Sequence, residues 1–101
     1  MRQKKYKLYL SGNVFERDYE NLCKKFNSYE NLHDNFYEVI INPMRIYKKN
    51  WSKKRKIMCN LYNLIIKSNS ISMLPGYQFS KLCKLELKIS KILKYKIIIN
   101  F

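Results

Sequence analysis

The sequence lacks any apolar run close to the roughly 18 residues of a membrane-spanning helix, so no membrane is predicted as a partner. Its basic and then apolar start, MRQKKYKLYLSG, has too short an apolar part for a signal peptide and no small-residue cleavage site. We interpret that start as a strand. The cysteines Cys23, Cys59 and Cys83 form no CxxC pair and no Cys/His cluster. This pattern is typical of a cytoplasmic protein with reduced thiols, and it predicts neither a structural metal nor a cofactor.

Alanine and threonine are absent, whereas lysine, asparagine, isoleucine and tyrosine are abundant. A genome rich in A and T tends to produce this composition, so much of the net charge of +14 is explained by lysines on solvated faces. The same charge also suits an anionic partner, and composition leaves both interpretations open. With 101 residues and 47% apolar side chains, the chain is expected to fold as one domain, residues 1–101.

Acidic residues are scarce in the second half of the chain, where Glu86 is the only carboxylate side chain from Val39 to the last residue. Leu82, Leu85, Ile89 and Leu93 recur at helical spacing, and Glu86 lies on the same stripe. An inward carboxylate is costly when it has no partner. It is therefore paired with a lysine, kept protonated, or used in a functional site, and the sequence leaves these alternatives open.

Turn residues and apolar periodicity divide the chain into alternating strands and helices. The predicted strands are Tyr6 to Leu10, Tyr37 to Ile41, Ile71 to Leu74 and Tyr95 to Ile99. The predicted helices are Val14 to Phe26 with Asn13 as its cap, Trp51 to Lys67, and one that begins after Ser80. The segments Asn27 to Asn35 and Met44 to Asn50 are predicted as loops. This alternation predicts an α/β fold: a flavodoxin-like three-layer sandwich with four parallel strands in the order 2-1-3-4.

In such a sheet, a ligand binds beyond the carboxyl ends of the strands where the strand order reverses, here between the first and third strands. Two turns follow these strands, Ser11-Gly12-Asn13 and Pro75-Gly76-Tyr77. Glu86 lies on the helix after the second turn. The topology therefore predicts a ligand crevice built by the two turns, with Glu86 beside it.

Four segments in this order resemble the nucleoside 2-deoxyribosyltransferase-like superfamily, and most closely a small phage and bacterial branch of it. The segments are KLYLSG (Lys7 to Gly12), YEVIINP (Tyr37 to Pro43), the pair Trp51 and Met58, and SNSISMLPGYQFSKLCKLE (Ser68 to Glu86). The resemblance covers almost the whole chain. It implies cleavage or transfer at the N-glycosidic bond of a nucleoside or nucleotide, and the cytoplasm of a bacterial host if the protein is phage-encoded.

The resemblance also implies roles for individual residues. Glu86 would attack the anomeric carbon of the sugar. The implied substrate-binding residues are Ser11, Gly12, Asn13, Asn69, Pro75, Gly76, Tyr77 and Ser80. Asn69 replaces an aspartate of the branch and Leu82 replaces a glycine. Because of these departures, the alternative is a protein that binds a nucleotide without turnover.

A further alternative is a basic nucleic-acid-binding protein that uses the run from Lys48 to Lys56, in which Trp51 lies among cations. The plain interpretation of this run is a solvated helix start with Trp51 as a packing anchor. His33 is expected to be a solvated residue in a polar loop. A homo-oligomer is also expected, since relatives often complete their pocket across subunits.

Overall fold

A computed structural model describes residues 6–15, 18–47 and 50–100 of the chain. Its strands are β1 (Lys7–Ser11), β2 (Val39–Ile41), β3 (Ser70–Met73) and β4 (Lys96–Ile99). Its helices are α1 (Tyr19–His33), α2 (Pro43–Ile46), α3 (Lys53–Lys67) and α4 (Lys81–Ile92), with one 3-10 turn (Tyr77–Phe79) before α4. The four strands pair in parallel in the order β2-β1-β3-β4. This confirms the predicted flavodoxin-like α/β fold and its strand order.

The alternation of side chains along β1 explains the three layers. Leu8 and Leu10 face one side of the sheet and pack with Leu22 and Phe26 of α1. Tyr9 faces the other side, in a core cluster with buried residues of α3, β3 and α4, namely Leu64, Ile71, Met73 and Cys83. Helices therefore cover both faces of the sheet, with α1 on one face and with α3 and α4 on the other.

The first helix begins and ends later than the prediction of Val14 to Phe26. Asp18, rather than Asn13, is its cap, because the Asp18 side chain accepts a hydrogen bond from the backbone of Asn21 at 3.0 Å. Asn13 instead accepts one from the backbone of Phe15 at 3.1 Å, within the loop after β1. Most of the segment predicted as a polar loop, Asn27 to Asn35, is helical up to His33. That prediction was wrong because the last turns carry mostly polar residues facing solvent.

The predicted irregular connection from Met44 to Asn50 begins inside a short helix. Pro43 opens α2, and the side chain of Asn42 accepts a hydrogen bond from the backbone of Met44 at 3.0 Å. The other element ends lie within two residues of the prediction. Ser80 caps α4, as predicted, by accepting a hydrogen bond from the backbone of Cys83 at 3.2 Å.

His33 is the last residue of α1 rather than a solvated loop residue, so that prediction was wrong. Its Nε2 lies 3.3 Å from Oγ of Ser72 on β3, and its ring meets the edge of the Tyr37 ring. The side chain is partly buried, and this burial lowers the pKa of His33. His33 thus joins the end of α1 to the sheet. In the described part of the chain, no helix is both long and apolar enough to span a membrane.

Candidate functional site

Glu86 faces the sheet from the second turn of α4 and is fully buried, with 0% of its surface exposed. Its Oε2 accepts a hydrogen bond from the Tyr9 hydroxyl at 2.6 Å, and its Oε1 accepts one from the Ser11 hydroxyl at 2.7 Å. Tyr9 and Ser11 are two positions apart on β1, so their side chains point to the same side. Among the described residues, no lysine or arginine pairs with this carboxylate. The structure therefore gives Glu86 hydroxyl partners at the carboxyl end of β1.

Burial sets the ionisation of this carboxyl group. It raises the pKa of Glu86 from 4.5 to about 7, although the hydrogen bonds from Tyr9 and Ser11 act in the opposite direction. The same burial raises the pKa of the Tyr9 phenol, and the nearby charge of Glu86 raises it further. Tyr9 therefore remains a hydrogen-bond donor at neutral pH, where Glu86 exists in both its protonated and its ionised form.

A second buried phenol lies near this pair. Tyr47 donates a hydrogen bond from its hydroxyl to Oδ1 of Asn60 on α3. Its pKa is raised by burial first and by the charge of Glu86 next. The Cys83 thiol, also buried, has its pKa raised mainly by burial. The surroundings of Glu86 are thus neutral side chains that donate hydrogen bonds or fill space.

A cavity of about 590 Å³ opens at the carboxyl ends of β1 and β3. The residues that line it are Asn13, Phe15, Lys53, Ile57, Phe79, Ser80, Lys81, Leu82 and Leu85. Glu86 is not part of this lining, although Leu82, four residues earlier on the same helix face, is. Leu82 therefore borders the cavity, whereas the carboxyl group of Glu86 is enclosed behind the cavity lining.

The structure brings several of the predicted site residues together. Ser11 contacts Glu86, while Asn13 and Ser80 line the cavity. Gly12 has a spatial reason to be glycine: a Cβ atom there would lie 2.9 Å from Cζ of Phe26. The absence of a side chain thus lets the turn after β1 approach α1 closely.

The second predicted turn lies at the same end of the sheet but outside the lining of this cavity. The Pro75 carbonyl accepts a hydrogen bond from Nζ of Lys25 at 2.9 Å, and Gly76 adopts a φ of 88°, which favours glycine. Tyr77 packs against the core cluster of Tyr9 and Met73. Tyr77 is therefore a packing residue here rather than one that lines the cavity.

The structure does not bring Asn69 to the cavity. It precedes β3, so it lies at the amino end of the sheet, opposite the cavity. Its side chain accepts a hydrogen bond from the backbone of Lys7 at 2.8 Å. Asn69 and Met73 are separated by the full length of β3, so they lie at opposite ends of the sheet. The motif that pointed to Asn69 does not contain this information.

The sequence analysis did not identify Tyr9 as a partner of Glu86. The two-residue spacing between Tyr9 and Ser11 was the signal that could have found it. Phe15, Lys53, Phe79 and Lys81 were also missed as lining residues. Phe79 is 89% exposed, which is unusual for so large an apolar side chain.

The basic run from Lys48 to Lys56 is described only in part, since residues 48 and 49 lie outside the described ranges. Arg55 lies 4.3 Å above the Trp51 ring, and Lys56 lies 5.3 Å from the centre of the Tyr47 ring. The Trp51 ring is half-buried beside Tyr47. Trp51 thus packs against its own chain, and Arg55 lies over one face of its ring.

No group of three His, Cys, Asp or Glu side chains is arranged to hold a metal ion within residues 6–15, 18–47 and 50–100. The cysteines are all free thiols.

A family model described as "Domain of unknown function (DUF4406)" matches residues 6–99 of the chain. No curated protein and no solved structure matches it significantly.

Proposed function

We propose a function for this chain, which belongs to the DUF4406 family: it binds a nucleoside or nucleotide in the cavity and cleaves or transfers its N-glycosidic bond. The observation that carries the proposal is the Glu86 carboxylate, buried without a cationic partner and oriented by Tyr9 and Ser11 beside the crevice. A structural ion pair would explain a buried carboxylate, but two neutral hydroxyls do not offset its full cost of burial. Such a costly group is a candidate for chemistry.

In the proposed reaction, the ionised carboxylate of Glu86 forms a bond to the anomeric carbon of the sugar while the bond from that carbon to the base nitrogen breaks, and the departing nitrogen takes a proton from solvent water. Water then hydrolyses the glycosyl-enzyme ester, or a second base accepts the sugar. Tyr9 and Ser11 hold the carboxylate in one orientation through their hydrogen bonds. They also favour its ionised form.

The cavity suits an anionic ligand with a flat apolar part. Lys53 and Lys81 provide positive charge, and the amino end of α4 begins at Ser80 in the same lining. Phe15 and Phe79 supply aromatic surface for a base. These features support a phosphate-bearing nucleotide as the ligand.

Two observations favour a second candidate function, the binding of a nucleotide without turnover. Leu82 lines the cavity whereas Glu86 does not, and the cavity lining contains no carboxylic acid that would protonate a departing base. The homo-oligomer expected from the sequence stays a prediction, which light scattering tests.

The experiment is incubation of the purified protein with 2′-deoxynucleosides and their 5′-monophosphates, followed by chromatography of released bases. The variants are Glu86→Gln and Leu82→Ala, with Glu20→Gln as an exposed control on α1. Hydrolase activity predicts base release that Glu86→Gln abolishes and Glu20→Gln leaves unchanged. The second candidate predicts that the native protein binds the nucleotide in calorimetry without releasing the base. It also predicts that Leu82→Ala releases the base in a reaction that depends on Glu86. If neither binding nor release occurs in any variant, both candidates are refuted.

A further inference from the structure

The outer surfaces of α3 and α4 carry exposed apolar side chains, a surface called the furrow below, which meets the candidate cavity at Leu85. Leu85, Ile89 and Ile92 are spaced i, i+4, i+7 on α4 and share one flank of that helix. Leu85 lines the same cavity as Ile57 of α3, which places this flank on the side of α4 towards α3. Ile92 is 69% exposed, so the side of the furrow formed by α4 is open to solvent.

The other side of the furrow is the outward surface of α3. Met58, Tyr62 and Ile65, again spaced i, i+4, i+7, are between 44% and 63% exposed. The buried residues Asn60 and Leu64 of the same helix point to the opposite side. Large apolar side chains that remain exposed together mark an interaction surface more often than scattered single ones do.

The charges around the furrow have one sign. α3 contains no Asp or Glu, and the only carboxylate of α4 is the buried Glu86. Along the outside of α4, Lys81, Lys84, Lys88 and Lys91 form an exposed row at helical spacing. All other carboxylates of the chain precede Val39. The furrow is therefore apolar along its length and bordered by positive charge that no acid on either helix neutralises.

We propose that the furrow docks an acidic amphipathic helix of another protein. Apolar side chains at i, i+3, i+4 and i+7 of that helix would fill the furrow, and its acidic flank would pair with the lysine row of α4. The 12 residues of α4 span about 18 Å, so a helix of three to four turns matches the surface.

The shape and charge of the furrow favour this occupant over others. Phosphates of a nucleic acid would use the lysines but would leave the apolar side chains unpartnered. The lysines of α4 lie at the centre of its outward surface, whereas its apolar residues lie on the flank towards α3. A flat anionic bilayer would therefore contact the lysines and leave the apolar side chains outside the membrane. The α3–α4 surface of a second copy carries the same sign of charge and would repel this one.

The test titrates the full-length ¹⁵N-labelled protein with a synthetic 18-residue helical peptide. The peptide has leucine at i, i+3, i+4 and i+7 and glutamate on its flanks. A control peptide has serine in place of leucine. The variants are Ile92→Asp in the furrow and Lys84→Glu with Lys88→Glu on the lysine row. Leu32→Asp and Lys24→Glu on α1 are the matched exposed controls.

The proposal expects amide shifts confined to α3 and α4, an affinity at least tenfold weaker for each furrow and lysine-row variant, and less than twofold change for the α1 controls. Equal binding of the serine peptide, or binding insensitive to Ile92→Asp, overturns it. It is also overturned if a 20-base-pair DNA or vesicles containing phosphatidylglycerol perturb the furrow amides more strongly than the peptide. Self-association that Ile92→Asp abolishes would likewise assign the furrow to a second copy and refute the proposal.

Discussion

Replacing Glu86 with glutamine tests the physical description of the buried carboxyl group directly. A rise of its pKa from 4.5 to about 7 corresponds to about 3 kcal/mol, since each pKa unit is worth about 1.4 kcal/mol. The folded state holds the proton more tightly than the unfolded chain does. The protonated group therefore contributes its full stability below pH 4.5, and this contribution is lost as the pH rises through about 7.

Glutamine has nearly the same shape and carries no charge at any pH. At pH 5, the free energies of unfolding of the native protein and Glu86→Gln should agree within about 1 kcal/mol, the scale of one hydrogen bond. At pH 8, the variant should be more stable by about 3 kcal/mol, because only the native protein has a buried anion to accommodate. The difference between the free energies of unfolding of the two proteins isolates the contribution of Glu86, because the other titrating side chains are the same in both.

The assay is urea unfolding followed by circular dichroism at intervals from pH 4.5 to pH 8.5. Glu20→Gln is the control, since Glu20 is exposed on the first turn of α1. Its curve should run parallel to that of the native protein throughout. A difference curve for Glu86→Gln that stays flat with pH, or that favours the native protein at pH 8, would refute the assignment of a buried, proton-binding carboxyl group.

Three further substitutions test Tyr9 and the two glycines in the turns after β1 and β3. Tyr9→Phe removes the 2.6 Å hydrogen bond to Glu86. It should lower the free energy of unfolding by about 1.5–3 kcal/mol at pH 8, where the carboxylate acceptor is ionised, and by less at pH 5. A loss of stability that does not depend on pH in urea titrations would contradict this. Gly12→Ala places a Cβ atom 2.9 Å from Cζ of Phe26 and should destabilise the fold by about 1–3 kcal/mol. Gly76→Ala, at an open position with a φ of 88°, is its comparison and should cost about 1 kcal/mol from backbone strain alone. If the two alanine variants lower the melting temperature equally, the Phe26 side chain moves aside without a measurable loss of stability.

The sheet order was predictable because each strand is a short apolar run ended by a turn, and the alternation with helices leaves few topologies. The inward direction of Glu86 followed from helical spacing alone. The extent of α1 did not, because Asp18 and Asn13 are both plausible caps and local sequence does not select between them. The position of Asn69 did not follow either, since a motif gives the order of residues but not the end of the sheet at which each one lies.

Which residues belong to the candidate site also depends on contacts between distant parts of the chain, and local sequence patterns do not reveal these contacts. Tyr9 pairs with a residue 77 positions away, and Phe79 stands at the cavity although its spacing marks no stripe. The role of Leu82 was foreseeable as a departure from the resembling motif. Its consequence became visible only from the packing of α4, where Leu82 lines the cavity and Glu86 does not.

The enclosure of Glu86 links its exposure to the release of its proton. Below about pH 7 the enclosed carboxyl group is mostly neutral, because burial is the main reason for its raised pKa. Any local opening of the packing around α4 that admits water weakens that cause, and the group then gives up its proton. Charge and solvent exposure of this side chain therefore rise together.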